Sequence, residues 1–257
     1  MNPTLKKIAF RLIHVLSLGK GITKKINGVA INFPTSYFRY FPSNYESDNF
    51  LIIKNVVKTG DHVIDIGAHI GLMSVVLGKI VGNNGKVYSF EPSPLTFSIL
   101  KETIKLNKLT HIISPINKAV SISNGEIQFN ADFENVSNSI VLYENNKNHK
   151  KISVTTTTID SFIIKENINI LNFIKIDAEG VELDVLKGAK ETLKRFNCSM
   201  ILALHPLPIV AKGDSLSDIY DFVTEAGYSV MWKDQIISKS YFCEQTGMFD
   251  VYCQKRN

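Results

Sequence analysis

The feature that most constrains this chain is a glycine turn between an apolar strand and a helix, within residues 61–71. Residues 62–66 are mostly apolar and predict a short buried strand, and a helix is predicted from about residue 70 to residue 81. Gly67 and Gly71 leave the turn without side chains, so that a ligand can approach the backbone. The start of the helix adds unpaired N–H groups and the positive end of its dipole. The turn therefore predicts a ligand site at the end of a strand.

Acidic residues are predicted to belong to the same site. Asp65 lies at the end of the first strand and would point an acceptor into the crevice. Glu91 ends a second predicted strand, residues 86–91, where a carboxylate can accept hydrogen bonds from both hydroxyls of a ribose. Glu46, near the start of an earlier predicted helix, either reaches the mouth of this pocket or only complements the N-terminus of its helix. The pattern predicts a nucleoside pocket.

The spacing of the glycines favours a nucleoside without phosphates. Dinucleotide sites usually show G-x-G-x-x-G, whose second glycine lets the pyrophosphate approach the backbone. Here Ala68 and His69 occupy the positions after Gly67, and we expect both to line the ligand. The sequence therefore favours S-adenosylmethionine, which carries an amino-acid tail, over NAD.

Predicted strands and helices alternate along most of the chain. This order predicts an α/β fold, a doubly wound, mostly parallel sheet with helices on both faces. Residues 228–232 and 249–254 are predicted to be two final strands with no helix between them, so that one is antiparallel. Residues 206–215 are predicted to be a loop. Near the N-terminus, residues 28–33 and 36–41 predict a small hairpin.

Composition fits one folded domain with additions. The chain has 257 residues, of which 44% are hydrophobic and 21% charged, enough to bury a large core. The net charge of +5 is spread out and argues against a nucleic-acid partner. Three irregularly spaced cysteines predict no disulfide framework and favour a cytoplasmic setting. We divide the chain into residues 1–44, an extension with a helix and the hairpin, and residues 45–257, the ligand-binding domain.

A basic, apolar helix is predicted at residues 4–18. Arg11 and His14 interrupt its apolar run, which is too short to span a bilayer, and no cleavage site for a signal peptide follows. The helix either caps the domain or a partner subunit, which would allow a homo-oligomer, or lies on a membrane surface. In the second case the protein would be peripheral to the membrane.

Four segments resemble the FkbM-type family of S-adenosylmethionine-dependent O-methyltransferases. They are residues 65–71, residues 87–93, residues 117–121 with Gly125, and residues 173–182, whose Lys-Ile-Asp-Ala-Glu-Gly-x-Glu is the most specific. The resemblance covers about residues 45–232. It implies a class I methyltransferase fold, which is Rossmann-like with a seven-stranded sheet, and S-adenosylmethionine as cofactor. It also implies Pro92, Ser93 and Asn117 as cofactor contacts, and a hydroxyl of a sugar, glycan, glycolipid or natural product as acceptor.

Three residues at the ends of later strands are candidates for catalysis. Asp177 ends a buried strand, Glu179 follows it, and His205 ends the next strand. Methyl transfer requires that the acceptor be held near the methyl group and that its proton be removed. Asp177 is predicted to orient the acceptor hydroxyl or to contact the methionine end of the cofactor, and His205 to act as general base. The alternatives are that Glu179 only complements a helix N-terminus and that His205 only bonds to the following loop.

Other interpretations of the site stay open. Asp177, Glu179 and His205 would suit a divalent metal ion only loosely, so that no metal is favoured, although these would be its ligands if one binds. Two alternative functions also remain: a nicotinamide-dependent oxidoreductase or epimerase, and a nucleoside-binding module without catalysis.

Overall fold

A computed structural model describes residues 19–131, 138–139 and 150–256. The strands are, in chain order, β1 (Ile22–Ile26), β2 (Val29–Phe33), β3 (His62–Ile66), β4 (Lys86–Phe90), β5 (Ile113–Ile116), β6 (Ala119–Val120), β7 (Gly125–Ala131), β8 (Asn138–Ser139), β9 (Lys150–Thr157), β10 (Phe173–Asp177), β11 (Ser199–Leu204), β12 (Tyr228–Trp232), β13 (Gln235–Ile236) and β14 (Phe249–Lys255). The helices are α1 (Ser47–Val56), α2 (Leu72–Val81), α3 (Pro94–Leu106), α4 (Ile159–Lys165), α5 (Glu182–Gly188), α6 (Lys190–Arg195), α7 (Pro206–Lys212), α8 (Leu216–Glu225) and α9 (Lys239–Cys243).

The central sheet has the order β13-β12-β14-β11-β10-β3-β4-β5. The five strands from β11 to β5 are mutually parallel, and β14 is antiparallel to both of its neighbours. Without the two-residue β13, this is the predicted seven-stranded, mostly parallel sheet. From β3 the chain adds β4 and β5 on one side of β3, and it later adds β10 and β11 on the opposite side. The boundary between β3 and β10 is therefore the switch point at which ligands bind in such sheets.

Helices cover both faces of this sheet, as predicted. One hydrophobic cluster packs α4, α5, α6 and α8 on one face, and a second packs the β1–β2 hairpin, α1, α2 and α3 on the other. Side chains alternate along the strands, so that Ile174 belongs to the first cluster and Phe173 to the second. By the same alternation, Asp65 and Lys175, which are register partners, point to the face covered by α1 and α2.

The N-terminal hairpin differs from the prediction. Its strands are β1 and β2, paired around a turn at Asn27 and Gly28, both of which have positive φ. Residues 36–41 form turns and no strand. The aromatic residues of this segment have high strand propensity, but they are used to cover the site described below.

Two short helices were also not predicted. Within residues 206–215, for which the sequence predicts a loop, residues 206–212 form α7, and Pro206 is its first residue. Proline is tolerated there because the first N–H groups of a helix have no partner within it. Between β12 and β14 the chain forms β13 and α9, so the expectation of no helix there is wrong.

Some predictions for the N-terminus lie beyond the described residues. The helix at residues 4–18 is one of them, so its contact with a membrane or a partner subunit stays a prediction. The boundary between residues 44 and 45 also stays a prediction, although the hairpin shares its hydrophobic cluster with α1 and α2. Within residues 19–131 and 150–256, no helix has the length and apolar character needed to cross a membrane.

Candidate functional site

A cavity opens at the carboxyl ends of β3, β4 and β10. The space within it is about 1090 Å³ when the solvent-filled mouth is included. The residues that line it are Tyr40, Phe41, Tyr45, Glu46, Ile66, Gly67, Ala68, His69, Leu72, Met73, Phe90, Glu91, Pro92, Lys118, Ala119, Val120, Phe129, Lys175, Asp177, Ala178, Glu179 and Val181. The cavity lies beside the switch point of the sheet, where the sequence places the nucleoside.

The glycine turn joins two strands at the cavity. Gly67 lines the wall with φ of +78°, and a Cβ atom there would lie 1.9 Å from the carbonyl oxygen of Asp177. Gly71 precedes α2, away from the wall, and a Cβ atom there would lie 2.8 Å from Leu100. The sequence predicts that these glycines leave space for a ligand. This prediction needs correction, because a side chain at either position would first collide with protein atoms. Ala68 and His69 line the cavity, as expected.

Glu91 is held in one orientation at the cavity wall. It is 4% exposed. One carboxylate oxygen accepts the His69 backbone N–H at 3.0 Å, and the other accepts the Ser93 N–H at 2.9 Å. Burial raises the pKa of Glu91 to about 8, although both hydrogen bonds oppose this shift. Each oxygen keeps a lone pair, so that the carboxylate can accept two further hydrogen bonds from a ligand.

Several predicted residues lie behind the wall. Asn117 donates its side-chain amide to the carbonyl oxygens of Glu91 and Pro92, at 2.8 and 3.0 Å, and so fixes the segment that carries Glu91. Asp65 is fully buried and accepts the Ser74 hydroxyl at 2.5 Å, and burial raises its pKa. The expectation that Asp65 points into the crevice is wrong, because its side chain points towards α2. The predicted residues that do not line the cavity are Asp65, Gly71, Ser93, Asn117 and His205.

A buried lysine pairs with Asp177 at the floor of the cavity. Lys175 is 2% exposed, and its Nζ lies 2.9 Å from Oδ2 of Asp177. Burial alone would lower the pKa of Lys175, but the charges of Asp177 and Glu46 raise it. Burial alone would raise the pKa of Asp177, but Lys175 and His205 bring it below its ordinary value. Both groups are therefore charged.

His205 stands behind the two carboxylates of the cavity. Its Nδ1 lies 2.9 Å from Oε1 of Glu182, and its Nε2 lies 3.7 Å from both Asp177 Oδ1 and Glu179 Oε2. Burial would lower the pKa of His205, but the hydrogen bond with Glu182 and the two other carboxylates raise it to about 9. The imidazole is thus protonated near neutral pH, where it cannot accept a proton. Its role as general base stays a prediction.

The structure brings together the three residues that the sequence named as the ligands of any metal ion. The donor atoms of Asp177, Glu179 and His205 all lie within 4.8 Å of one another. Glu182, the first residue of α5, is fully buried and accepts the Gly180 N–H at 2.9 Å as well as bonding His205.

Sequence reasoning missed two parts of the cavity. Tyr40, Phe41 and Tyr45 form an aromatic side, and the ring of Tyr40 lies 5.2 Å from that of His69. Lys175 was also missed, although a lysine within an otherwise apolar buried strand is itself a signal, since a buried charge needs a partner. Glu46 lines the cavity, precedes α1 and accepts the Asn49 amide at 2.9 Å.

Comparisons with known proteins identify the chain as a methyltransferase. The family model described as the methyltransferase FkbM domain matches residues 65–230, well over half of the chain. The chain is 28% identical over 212 residues to the hexuronic acid methyltransferase AglP of Haloferax volcanii, covering 78% of this chain and 83% of that protein. It is 24% identical over 158 residues to the methyltransferase sdnD of Sordaria araneosa, covering 50% and 60%.

Solved structures show the same fold. A protein assigned as an rRNA methylase from Clostridium thermocellum superposes with a TM-score of 0.51 at 12% identity, covering 84% of this chain and 98% of that one. A protein assigned as a methyltransferase from Streptococcus mutans, in complex with SAH, superposes with a TM-score of 0.50 at 13% identity, covering 82% of this chain and 97% of that one.

The alternatives of a nicotinamide-dependent enzyme and a module without catalysis find no support in these comparisons. The chain belongs to the FkbM methyltransferase family and is an S-adenosylmethionine-dependent methyltransferase of the class I fold.

Proposed function

We propose that the protein transfers the methyl group of S-adenosylmethionine to a hydroxyl oxygen of a sugar, glycan, glycolipid or natural product. The observation that supports this most is the cavity itself, which combines a fixed carboxylate, Glu91, with an acidic floor at Asp177 and Glu179. The similarity to a hexuronic acid methyltransferase supports a sugar-like acceptor.

The cofactor is proposed to bind along the glycine turn. Its ribose hydroxyls donate to Glu91, and its nucleoside packs against Ala68 and His69. The methionine end and the positively charged sulfonium then lie towards Asp177 and Glu46, whose negative charges favour a cationic ligand. The acceptor enters from the side of Glu179, whose side chain is 51% exposed.

The reaction is a displacement at the methyl carbon. The acceptor oxygen approaches opposite the sulfur, a C–O bond forms as the C–S bond breaks, and the sulfur keeps the bonding pair and leaves as a neutral thioether. The hydroxyl proton must pass to a base. We assign it to Glu179, whose pKa is raised by burial, and we assign the orientation of the hydroxyl to Asp177. His205 would accept the proton only after losing its own.

The affinity for S-adenosylmethionine is expected to rise with pH. Glu91 has a pKa of about 8 in the free protein, and ribose hydroxyls that donate to it favour the ionised form. Binding therefore releases a proton below pH 8. The affinity should increase by up to tenfold per pH unit below that value and become constant above it. Calorimetric titration between pH 6.5 and 9, in buffers of different ionisation enthalpy, measures both effects.

The matched control for this titration is Glu91→Gln, which removes the titrating group and keeps its shape. Any contribution from the amino group of the cofactor is common to both proteins, so the difference between the two pH profiles reports on Glu91. Parallel profiles would show that Glu91 does not lose a proton on binding.

Glu179→Gln is expected to lower kcat by roughly 10- to 100-fold, because the proton acceptor is lost while Asp177 still orients the hydroxyl. The affinity for the cofactor should change by less than about threefold, since Glu179 lies on the acceptor side of the proposed complex. Glu191→Gln, an exposed residue of α6 paired with Lys194, is the control and should keep full activity. An unchanged kcat in Glu179→Gln would remove this residue from the reaction.

A screen with S-adenosylmethionine labelled in its methyl group tests the proposed function itself. Sugars, glycans and lipid-linked glycans should accept label in a form that resists mild alkali, as a methyl ether does. Label released by mild alkali would indicate a methyl ester of a carboxylate and contradict transfer to a hydroxyl. Saturable binding of NAD without binding of S-adenosylmethionine would contradict the cofactor assignment.

A further inference from the structure

We infer that Asp177, Glu179 and His205 bind a divalent transition-metal ion at the floor of the cavity. Their donor atoms lie within 4.8 Å of one another. An ion bound at about 2.1 Å from each donor places its ligands roughly 3 to 4.2 Å apart, so that the group must contract by about half an ångström or more at its widest. The three residues come from the end of β10 and the end of β11, two strands paired side by side.

The orientation of His205 is the observation that points to a ligand. The residue is 7% exposed, and its Nε2 lies 3.7 Å from both Asp177 Oδ1 and Glu179 Oε2, which is too far for a hydrogen bond to either. Its other nitrogen, Nδ1, is held by Glu182 Oε1 at 2.9 Å. Metal-binding histidines commonly have this arrangement, in which a carboxylate fixes one nitrogen and directs the other at the ion. Glu182 is fully buried, so the imidazole is held firmly.

Neighbouring groups also orient the carboxylate of Asp177. Lys175 occupies Oδ2 at 2.9 Å, which leaves Oδ1 facing His205. Glu179 completes the set from a left-handed backbone conformation with φ of +52°. This conformation is costly for a residue other than glycine, and such strain is common at functional sites. Gly180 supports the bend, because a Cβ atom there would lie 2.2 Å from Pro208.

The donor set of two carboxylates and one imidazole favours a metal ion of intermediate hardness. Two carboxylates suit Mg²⁺ and Mn²⁺, whereas an imidazole suits Zn²⁺ and its neighbours, so that Mn²⁺ or Zn²⁺ fits the set better than Mg²⁺ or Ca²⁺. Binding requires neutral imidazole and therefore releases the Nε2 proton. The part of the ion in the reaction rests on the proposed function: it would hold the acceptor hydroxyl and ease the loss of its proton, which Glu179 would accept with the oxygen that does not bind the ion. The binding of the ion does not depend on that reaction.

Titration of the chelator-treated full chain with Mn²⁺, followed by electron paramagnetic resonance, tests the site without any methyl transfer. We expect one saturable site, with Zn²⁺ competing and Mg²⁺ competing weakly. Electron spin-echo modulation should show a coordinated imidazole nitrogen. His205→Gln should lose the nitrogen signal and weaken Mn²⁺ binding at least about tenfold, and Glu182→Gln should weaken it by about 10- to 100-fold through loss of orientation.

Glu179→Gln is the variant least expected to misfold, because the side chain of Glu179 is half-exposed and can be changed without disturbing the core. This variant should also weaken Mn²⁺ binding. Glu191→Gln should bind as the wild type does. Absence of a saturable Mn²⁺ site in the wild type would overturn the inference, as would an unchanged nitrogen signal in His205→Gln. Methyl transfer that is insensitive to chelator, in a protein that binds Mn²⁺, would leave the site in place and remove only its part in the reaction.

Discussion

Glu91→Gln is expected to bind S-adenosylmethionine about 100- to 1000-fold more weakly than the wild type at pH 8.5. A hydrogen bond to a charged group contributes about 1.5–3 kcal/mol, and two ribose hydroxyls are proposed to donate to this carboxylate. Glutamine offers one oxygen and one NH₂ group. The NH₂ group would face either the His69 or the Ser93 backbone N–H, which now donate to the two oxygens of Glu91. Isothermal titration calorimetry measures the loss.

Glu91→Gln should also lower the free energy of unfolding by about 1–3 kcal/mol, because glutamine cannot accept both the His69 and the Ser93 backbone N–H. The variant should still fold, since burial already disfavours the ionised form of Glu91. Glu102→Gln, an exposed residue of α3, is the matched control and should bind the cofactor normally. An affinity in Glu91→Gln within about threefold of the wild type would mean that the ribose binds elsewhere.

Lys175→Met is expected to lower the free energy of unfolding by about 3–5 kcal/mol, because it leaves the buried Asp177 carboxylate with only the more distant charge of His205, 3.7 Å away. Lys175 is 2% exposed and bonds Asp177 at 2.9 Å. Methionine has nearly the same length and no charge, so that the change removes the pair with little loss of packing. Unfolding in urea, followed by circular dichroism, gives the free energy.

The double variant Lys175→Met with Asp177→Asn separates the pair from the packing. Once both charges of the pair are gone, Asp177 no longer leaves a buried carboxylate without its lysine, and the double variant should be more stable than Lys175→Met alone. Lys194→Met, which removes the exposed pair with Glu191, should change stability by less than about 1 kcal/mol. Equal losses in Lys175→Met and in the double variant would show that the ion pair does not determine stability here.

Much of the fold follows from signals that are local in the sequence. Gly67 and Gly71 both have positive φ, which marks residues 67–71 as a turn. The apolar residues before the turn fit a strand, and those after it fit a helix. Glu91 was recognisable because the end of a second parallel strand must lie next to the first. These two signals suffice to locate the nucleoside side of the cavity.

The remaining features depend on contacts between distant segments. Strand alternation directs Asp65 beneath α2, where Ser74 binds it, and only the packing of the helix reveals this. The environment of His205 comes from three carboxylates on the preceding strand and helix, which shift its pKa to about 9, away from the value expected of a general base. Residues 36–41 have the composition of a strand but lack a partner strand, and they fold as turns over the cavity.

The structure of the complex with S-adenosylhomocysteine tests the central claim most directly. We expect both ribose hydroxyls within about 2.6–3.0 Å of the two carboxylate oxygens of Glu91, with the sulfur turned towards Asp177. A complex in which the nucleoside lies outside this cavity, or in which Glu91 contacts only protein atoms, would contradict the account.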